Sequence, residues 1–218
     1  MKQLKNTNDA DIKNIIRNSE KRYRIQEILK YVAGKKVLDL GCVQHSSNKA
    51  TRADWLHGII SRYASYCLGV DLLEKEVKKL NELGYNIICA DVEKMDLPEK
   101  DFEVIVAGEL IEHLANPGSF LENCRNHLKD DGLLIITTPN PFCFIHFRRS
   151  IFGKLKVNPE HVAWYDEITL TQLLKRYNFE PVEIKYLETP AWGVSKIIYK
   201  FGFKKFGSSN LFAVFRKV

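Results

Sequence analysis

The chain has 218 residues, 45% of them apolar, enough for one domain with a sizeable core and ordinary for a globular protein in water. No apolar run approaches the ~20 residues of a membrane-spanning helix, and the polar start from Met1 to Asp11 lacks the apolar stretch of a secretory signal. The formal charge of +6 is uneven: after Pro139 thirteen Lys/Arg stand against six Asp/Glu, an excess that can face phosphates, an anionic membrane, nucleic acid or plain solvent.

In chain order, Ile25, Ile28, Leu29 and Val32 fall at helical spacing, and Gly34 ends that helix. Lys36 to Leu40 is a short buried strand closed by Gly41. Leu56, Ile59, Ile60 and Tyr63 form a helical stripe, and Tyr66 to Val70 a second strand ending in Asp71. Leu73, Val77, Leu80 and Leu83 form the next helix, closed by Gly84. Asn86 to Ala90 reads as a third strand before Asp91, and Phe102 to Ala107 as a fourth. Pro117 opens a helix carrying Leu121, Cys124 and Leu128, and Asp131-Gly132 turns into a fifth strand, Leu133 to Thr137. A helix with Leu170, Leu173, Leu174 and Tyr177 leads to Val182–Leu187, which alternates with period two, and Leu211 to Phe215 is the last strand. A helix-free return from Thr189 to Asn210 would pair these last strands antiparallel at the sheet edge. The alternation predicts an α/β fold: an open sheet, mostly parallel with an antiparallel last strand, and helices on both faces.

In such a sheet ligands bind beyond the carboxyl ends of the strands, where strand order reverses. Acids gather there: Asp39 in strand one, Asp71 after strand two, Asp91 after strand three, Glu109 after strand four. A carboxylate after strand two can accept both hydroxyls of a ribose. One after strand three can accept from an adenine amine, and one after strand four can face an ammonium group. Adenosine, ribose and an amino-acid tail together describe S-adenosylmethionine. Asp39 can equally cap loop amides, and Glu109 can be a solvated strand-end acid.

From Lys35 onward the chain resembles the class I S-adenosylmethionine-dependent methyltransferases, which are Rossmann-like. Val37-Leu38-Asp39-Leu40-Gly41-Cys42 resembles the family's first motif, Gly69-Val70-Asp71 its ribose motif, and Ala90-Asp91-Val92 its adenine motif. Glu109-Leu110-Ile111-Glu112-His113-Leu114 resembles the segment after strand four. Leu128-Lys129-Asp130-Asp131-Gly132-Leu133-Leu134-Ile135 resembles the entry to strand five. Thr138-Pro139-Asn140 and His161-Val162 are similar to the quinone- and glycan-methylating subgroup. The first motif departs from the family, because Gly41 is followed by Cys42-Val43-Gln44-His45-Ser46-Ser47 rather than by two more glycines. A subgroup with this Gly-Cys-Val-x-His form also carries a Trp-Leu-His segment, here Trp55-Leu56-His57.

The helical spacing before Gly34 makes residues 1–34 a helical extension, and the resemblance implies a methyltransferase domain over 35–218, with lid-like insertions near 142–160 and 189–209. It implies that Asp39, Gly41, Cys42, His45, Asp71, Leu72, Asp91, Val92 and Glu109 bind the cofactor, S-adenosylmethionine. His113 and His161 are the candidate bases for a hydroxyl acceptor. The expected reaction is O-methylation of a small molecule or glycan, lipid-linked or free. The alternatives are a quinone or phenol acceptor, or a silent cofactor-binding protein. No spacing gathers carboxylates on a metal, so none is expected. A nicotinamide enzyme would need GxGxxG, which is absent, and an acid ~20 residues on.

Two segments interleave aromatic and basic residues, Phe142 to Lys154 and Lys196 to Phe206. Read as one helix, the second places Lys196, Lys200 and Lys204 on one face beside Ile197 and Phe201. Both would border the mouth of the site as a lid, with peripheral contact to an anionic membrane; nucleic acid is not expected, for no RNA-binding module accompanies them. Five widely spaced cysteines (Cys42, Cys67, Cys89, Cys124 and Cys143) without a CxxC read as reduced thiols of a cytoplasmic protein, at most peripheral at the inner face of a membrane.

Overall fold

Residue parity along the first strand organises the molecule. In β1 (Lys36–Leu40) side chains alternate between faces. Leu38 and Leu40 join one apolar cluster and Val37 joins another. The computed structural model describes residues 22–43, 54–154, 156–187 and 194–218, with residues 10, 13, 14, 17, 19 and 52 besides. The remaining elements are α1 (Arg22–Val32), α2 (Leu56–Tyr63), β2 (Tyr66–Asp71), α3 (Glu74–Glu82), β3 (Ile87–Cys89), β4 (Phe102–Gly108) and α4 (Pro117–His127). They continue with β5 (Leu128–Pro139), α5 (Phe144–Ile151), α6 (Glu167–Lys175), β6 (Phe179–Leu187), α7 (Val194–Lys200), α8 (Lys204–Gly207) and β7 (Asn210–Lys217).

The seven strands stand in the order β3-β2-β1-β4-β5-β7-β6. All pairings from β3 to β5 are parallel, and β7 runs antiparallel to both β5 and β6. The α/β fold expected from the alternation is therefore the one observed. β7 lies between two strands and under both faces, so Leu211 to Phe215 is an unbroken buried run: Phe212 and Val214 reach one cluster, Leu211, Ala213 and Phe215 the other. β6 takes the edge, which tolerates Pro181 at its register shift. α1 is stitched into the core, since Ile25, Ile28 and Val32 are fully buried with Val37, Ile59 and Ile60.

Three boundaries differ from the sequence reading. β3 is shorter than Asn86–Ala90, since it pairs only with Gly69–Asp71 of β2. β5 starts at Leu128, pairs there with Phe102, and absorbs the Asp131-Gly132 turn as an irregularity, with Asp131 at φ +60°. The interval between β6 and β7 is not helix-free. It holds α7 and α8, separated by Gly202 at φ +91°. That left-handed residue ends α7, so Lys204 does not continue the face of Lys196 and Lys200.

Candidate active site

The chain reverses strand order between β1 and β4, and a cleft of about 680 Å³ opens beyond their carboxyl ends. Gly41, Asp71, Leu72, Asp91, Val92 and Glu109 all line it, as do Leu110 and His113. Gly41 sits at φ +70°, and a β-carbon there would lie 3.1 Å from Leu110 Cδ1. Asp71 is fixed by two amides: Val43 N donates to its Oδ2 at 2.9 Å and Leu73 N to its Oδ1 at 3.1 Å. A carboxylate has about four acceptor positions, so two remain toward the cleft. Asp91 accepts from Glu93 N at 2.9 Å and pairs with Lys94 at 3.3 Å.

Glu109 occupies an uncommon backbone position for a non-glycine residue, φ +56°. Its Oε1 accepts from Asn210 Nδ2 at 2.9 Å and faces Arg24 Nη1 at 3.5 Å. Arg24, on α1, also lines the cleft, and its Nε is buried without a partner among the described residues. The sequence reading missed Arg24. Its neighbour Ile25 signals only a core-facing helix, and nothing in local spacing points an α1 cation at a strand end.

Asp39 and Cys42 do not line this cleft. Asp39 shares the parity of Val37, so its carboxylate is buried under α2, with His57 Nδ1 at 2.9 Å from its Oδ2. Burial raises the Asp39 carboxyl above its ordinary range, against the pull of His57. At His57 burial opposes the charge, yet the Cys67 sulfur and the Asp39 hydrogen bond outweigh it and raise the ring to about 10. Gly69 is required beneath it: a β-carbon there would lie 2.7 Å from His57 Cε1 and 2.8 Å from Cys42 Sγ. Trp55 Nε1 donates to the Cys42 carbonyl oxygen at 2.6 Å, so the Trp-Leu-His segment braces the turn after Gly41 from behind. His45 lies outside the described residues.

His113, in the 3₁₀ turn Ile111–His113, meets His161 edge to face, ring centroids 4.6 Å apart. The two are 48 positions apart in sequence. Val162 N donates to the Glu112 carbonyl oxygen at 2.9 Å and fixes the approach. Glu112 is buried beside them; Thr138 Oγ1 donates to its Oε2 at 3.0 Å, and Oε1 has no partner among the described residues. Burial first, and the Glu109 carboxylate second, push Glu112 up to about 8. Burial and then the His113 ring lower His161, which favours its neutral form. Ligand atoms of Glu112, His113 and His161 lie within 4.8 Å of one another, an arrangement able to take a divalent cation. No metal is expected from the spacing of these residues in the sequence; the fold, not spacing, brings them together.

Both basic aromatic segments line a second cavity of about 760 Å³, through Phe142, Phe144 and Phe147 on one side and Ile198, Phe203 and Phe206 on the other. α5 has no buried residue.

A methyltransferase-domain family model matches residues 16–184. The ubiquinone biosynthesis O-methyltransferase of Bradyrhizobium diazoefficiens is 31% identical over 118 residues, 51% of this chain and 43% of that protein. A probable S-adenosylmethionine-dependent methyltransferase of Mycolicibacterium smegmatis is 27% identical over 157 residues, 71% of this chain and 56% of that protein. The chain spans about half the length of the curated relatives it matches. A crystal structure of a SAM-dependent methyltransferase from Archaeoglobus fulgidus superposes with a TM-score of 0.66 over 93% of this chain and 96% of that one, at 19% identity.

Glu112 generates a pH prediction. Its carboxyl would ionise near 4.5 in the unfolded chain but near 8 in the folded one. The folded state then binds more protons across that window, and stability falls as pH rises from about 4.5 to about 8. Glu112→Gln keeps the Thr138 hydrogen bond and removes the titration. In denaturant unfolding with a chelator present, the variant is expected to gain on the native protein between pH 5 and pH 8. Parallel stability curves would refute the buried, proton-holding Glu112.

Proposed function

The chain belongs to the methyltransferase-domain family, and on that premise we infer that it methylates an oxygen of a small molecule or glycan, lipid-linked or free, using S-adenosylmethionine. The observation that carries this reading is the cleft at the β1/β4 reversal, where acids from separate strand ends meet one arginine.

The residues present fit the cofactor. Asp71 keeps two acceptor positions for a ribose diol, and Asp91 stands one strand further out for an adenine amine, with Leu72 and Val92 as apolar walls. Glu109 and Arg24 are adjacent and opposite in charge, which matches the ammonium and carboxylate of a zwitterion. Gly41 lets backbone approach where a side chain would intrude. Bound S-adenosylmethionine supplies the electrophilic methyl group. The protein orients the acceptor and excludes water, and the His113–His161 pair accepts the hydroxyl proton, with His161 the more suitable base because it is held neutral. Arg24, on α1 of the N-terminal extension, reaches this site, and the described parts of the insertions near 142–160 and 189–209, which line one cavity together, are read as its lid.

A quinone or phenol acceptor is the second reading, favoured by the ubiquinone O-methyltransferase named among the relatives. We place the protein in the cytoplasm, peripheral at the inner face of a membrane. Exposed Phe147, Ile151, Phe152 and Phe201 stand among Arg148, Arg149, Lys200 and Lys204, which suits an anionic interface.

Three measurements follow. By calorimetry, Asp71→Ala and Arg24→Ala are each expected to weaken S-adenosylmethionine binding by about ten- to a hundredfold, as for a lost hydrogen bond to a charged group; Asp91→Ala should cost less, and unchanged affinity in Asp71→Ala removes the ribose assignment. His161→Ala should lower turnover on a hydroxyl acceptor about 10²–10⁴-fold with cofactor affinity intact. The native rate should fall as pH drops through the lowered His161 pKa, and a normal rate in the variant would shift the base elsewhere. Flotation with anionic vesicles should show binding that high salt, or Lys200→Glu with Lys204→Glu, abolishes; no flotation at low salt excludes the membrane contact.

A further inference from the structure

The second cavity is larger than methyl transfer alone requires, and its chemistry differs from that of the acidic cleft. Phe142, Phe144, Phe147, Trp164, Phe203 and Phe206 supply its walls, and about 760 Å³ falls in the size range of small-molecule pockets. Phe147, Phe203 and Phe206 remain exposed, an unfavourable use of aromatic area unless something apolar covers it.

His146 also lines the cavity. Its ring meets that of Trp164 edge to face at 4.8 Å.

The two walls are joined. Asn140 Nδ2 donates to the carbonyl oxygens of Lys205 at 2.6 Å and Ser208 at 2.7 Å, and Lys205 Nζ lies 4.4 Å from the Phe142 ring centroid. A pre-joined wall costs less ordering on binding than two loose ones. The cavity is also close to the histidine pair. Trp164 follows His161 by three residues, at most about 10 Å of extended chain, and Val162 and Ala163 between them are held on the Glu112 carbonyl. His161 therefore lies within about 10 Å of a residue of the cavity wall, a span shorter than an extended eleven-carbon chain.

We propose that this cavity seats the single hydrocarbon chain of an amphiphilic acceptor, whose hydroxyl head lies at His113 and His161. The head half rests on the methyltransferase reading; the chain half rests on the cavity alone.

The probe is a terminally brominated undecanol below its micelle concentration, because bromine quenches indole on contact. The chain has three tryptophans, Trp55, Trp164 and Trp192, of which Trp164 lines the cavity. Saturable quenching is expected, competed by plain undecanol and lost in Trp164→Phe. The double substitution Phe147→Ser with Phe206→Ser should weaken it about tenfold or more, and Ser150→Phe, which fills the cavity without removing a wall, should do the same. Each variant should bind S-adenosylmethionine as the native protein does. Chain binding without cofactor binding would support the cavity and remove the methyltransferase head. Three outcomes overturn the proposal: no saturable quenching, quenching that persists in Trp164→Phe, or quenching only by vesicles of brominated phosphatidylglycerol.

Discussion

Between β1 and β4 the chain changes the side on which it returns, and that reversal is the constraint on which the functional end depends. β1 leads through α2 over one face to β2, whereas β4 leads through α4 over the other face to β5. Neither helix can cover the gap between the two strand ends, so backbone there stays open to a ligand. Three of the residues that line the gap are placed by strand length. Gly41 and Glu109 follow the last residues of their strands directly, and Asp71 ends its own.

The site combines two environments that would not be stable if merged. Toward β2 and β3 carboxylates are held by backbone amides and border the open cleft. Toward β5 and β7 the surroundings are aromatic, and the buried Glu112 is pushed toward its neutral form. His113 and His161 stand on the boundary between the two. An imidazole suits such a position, since it is half apolar ring and half hydrogen-bonding group.

Much of this was legible in the sequence because the period of a parallel strand and the acids that follow it are local signals. Asp71, Asp91 and Glu109 are found that way, and each lines the cleft. Asp39 shows that position in a motif is not direction: its parity with Val37 already implied the α2 side, where His57 takes it. Arg24 and the meeting of His113 with His161 were invisible because they arise from long-range packing of α1 and of the segment before α6. Gly202 was legible in principle. A glycine among Tyr199, Phe201 and Phe203 marks a break, and the regular spacing of lysines across it drew the eye to a longer helix than the backbone allows.

The backbone at Glu109 carries an evolutionary consequence. At φ +56° the chain itself would favour glycine, asparagine or aspartate over glutamate. Yet Asn210 and Arg24 are met by the end of a side chain one methylene longer than aspartate. No single replacement satisfies both demands, so neutral drift at this codon has almost nowhere to go. Neighbouring Leu110, by contrast, limits only what can replace Gly41, and a smaller apolar residue there would relax that limit. Position 109 should therefore be among the least mutable in the chain.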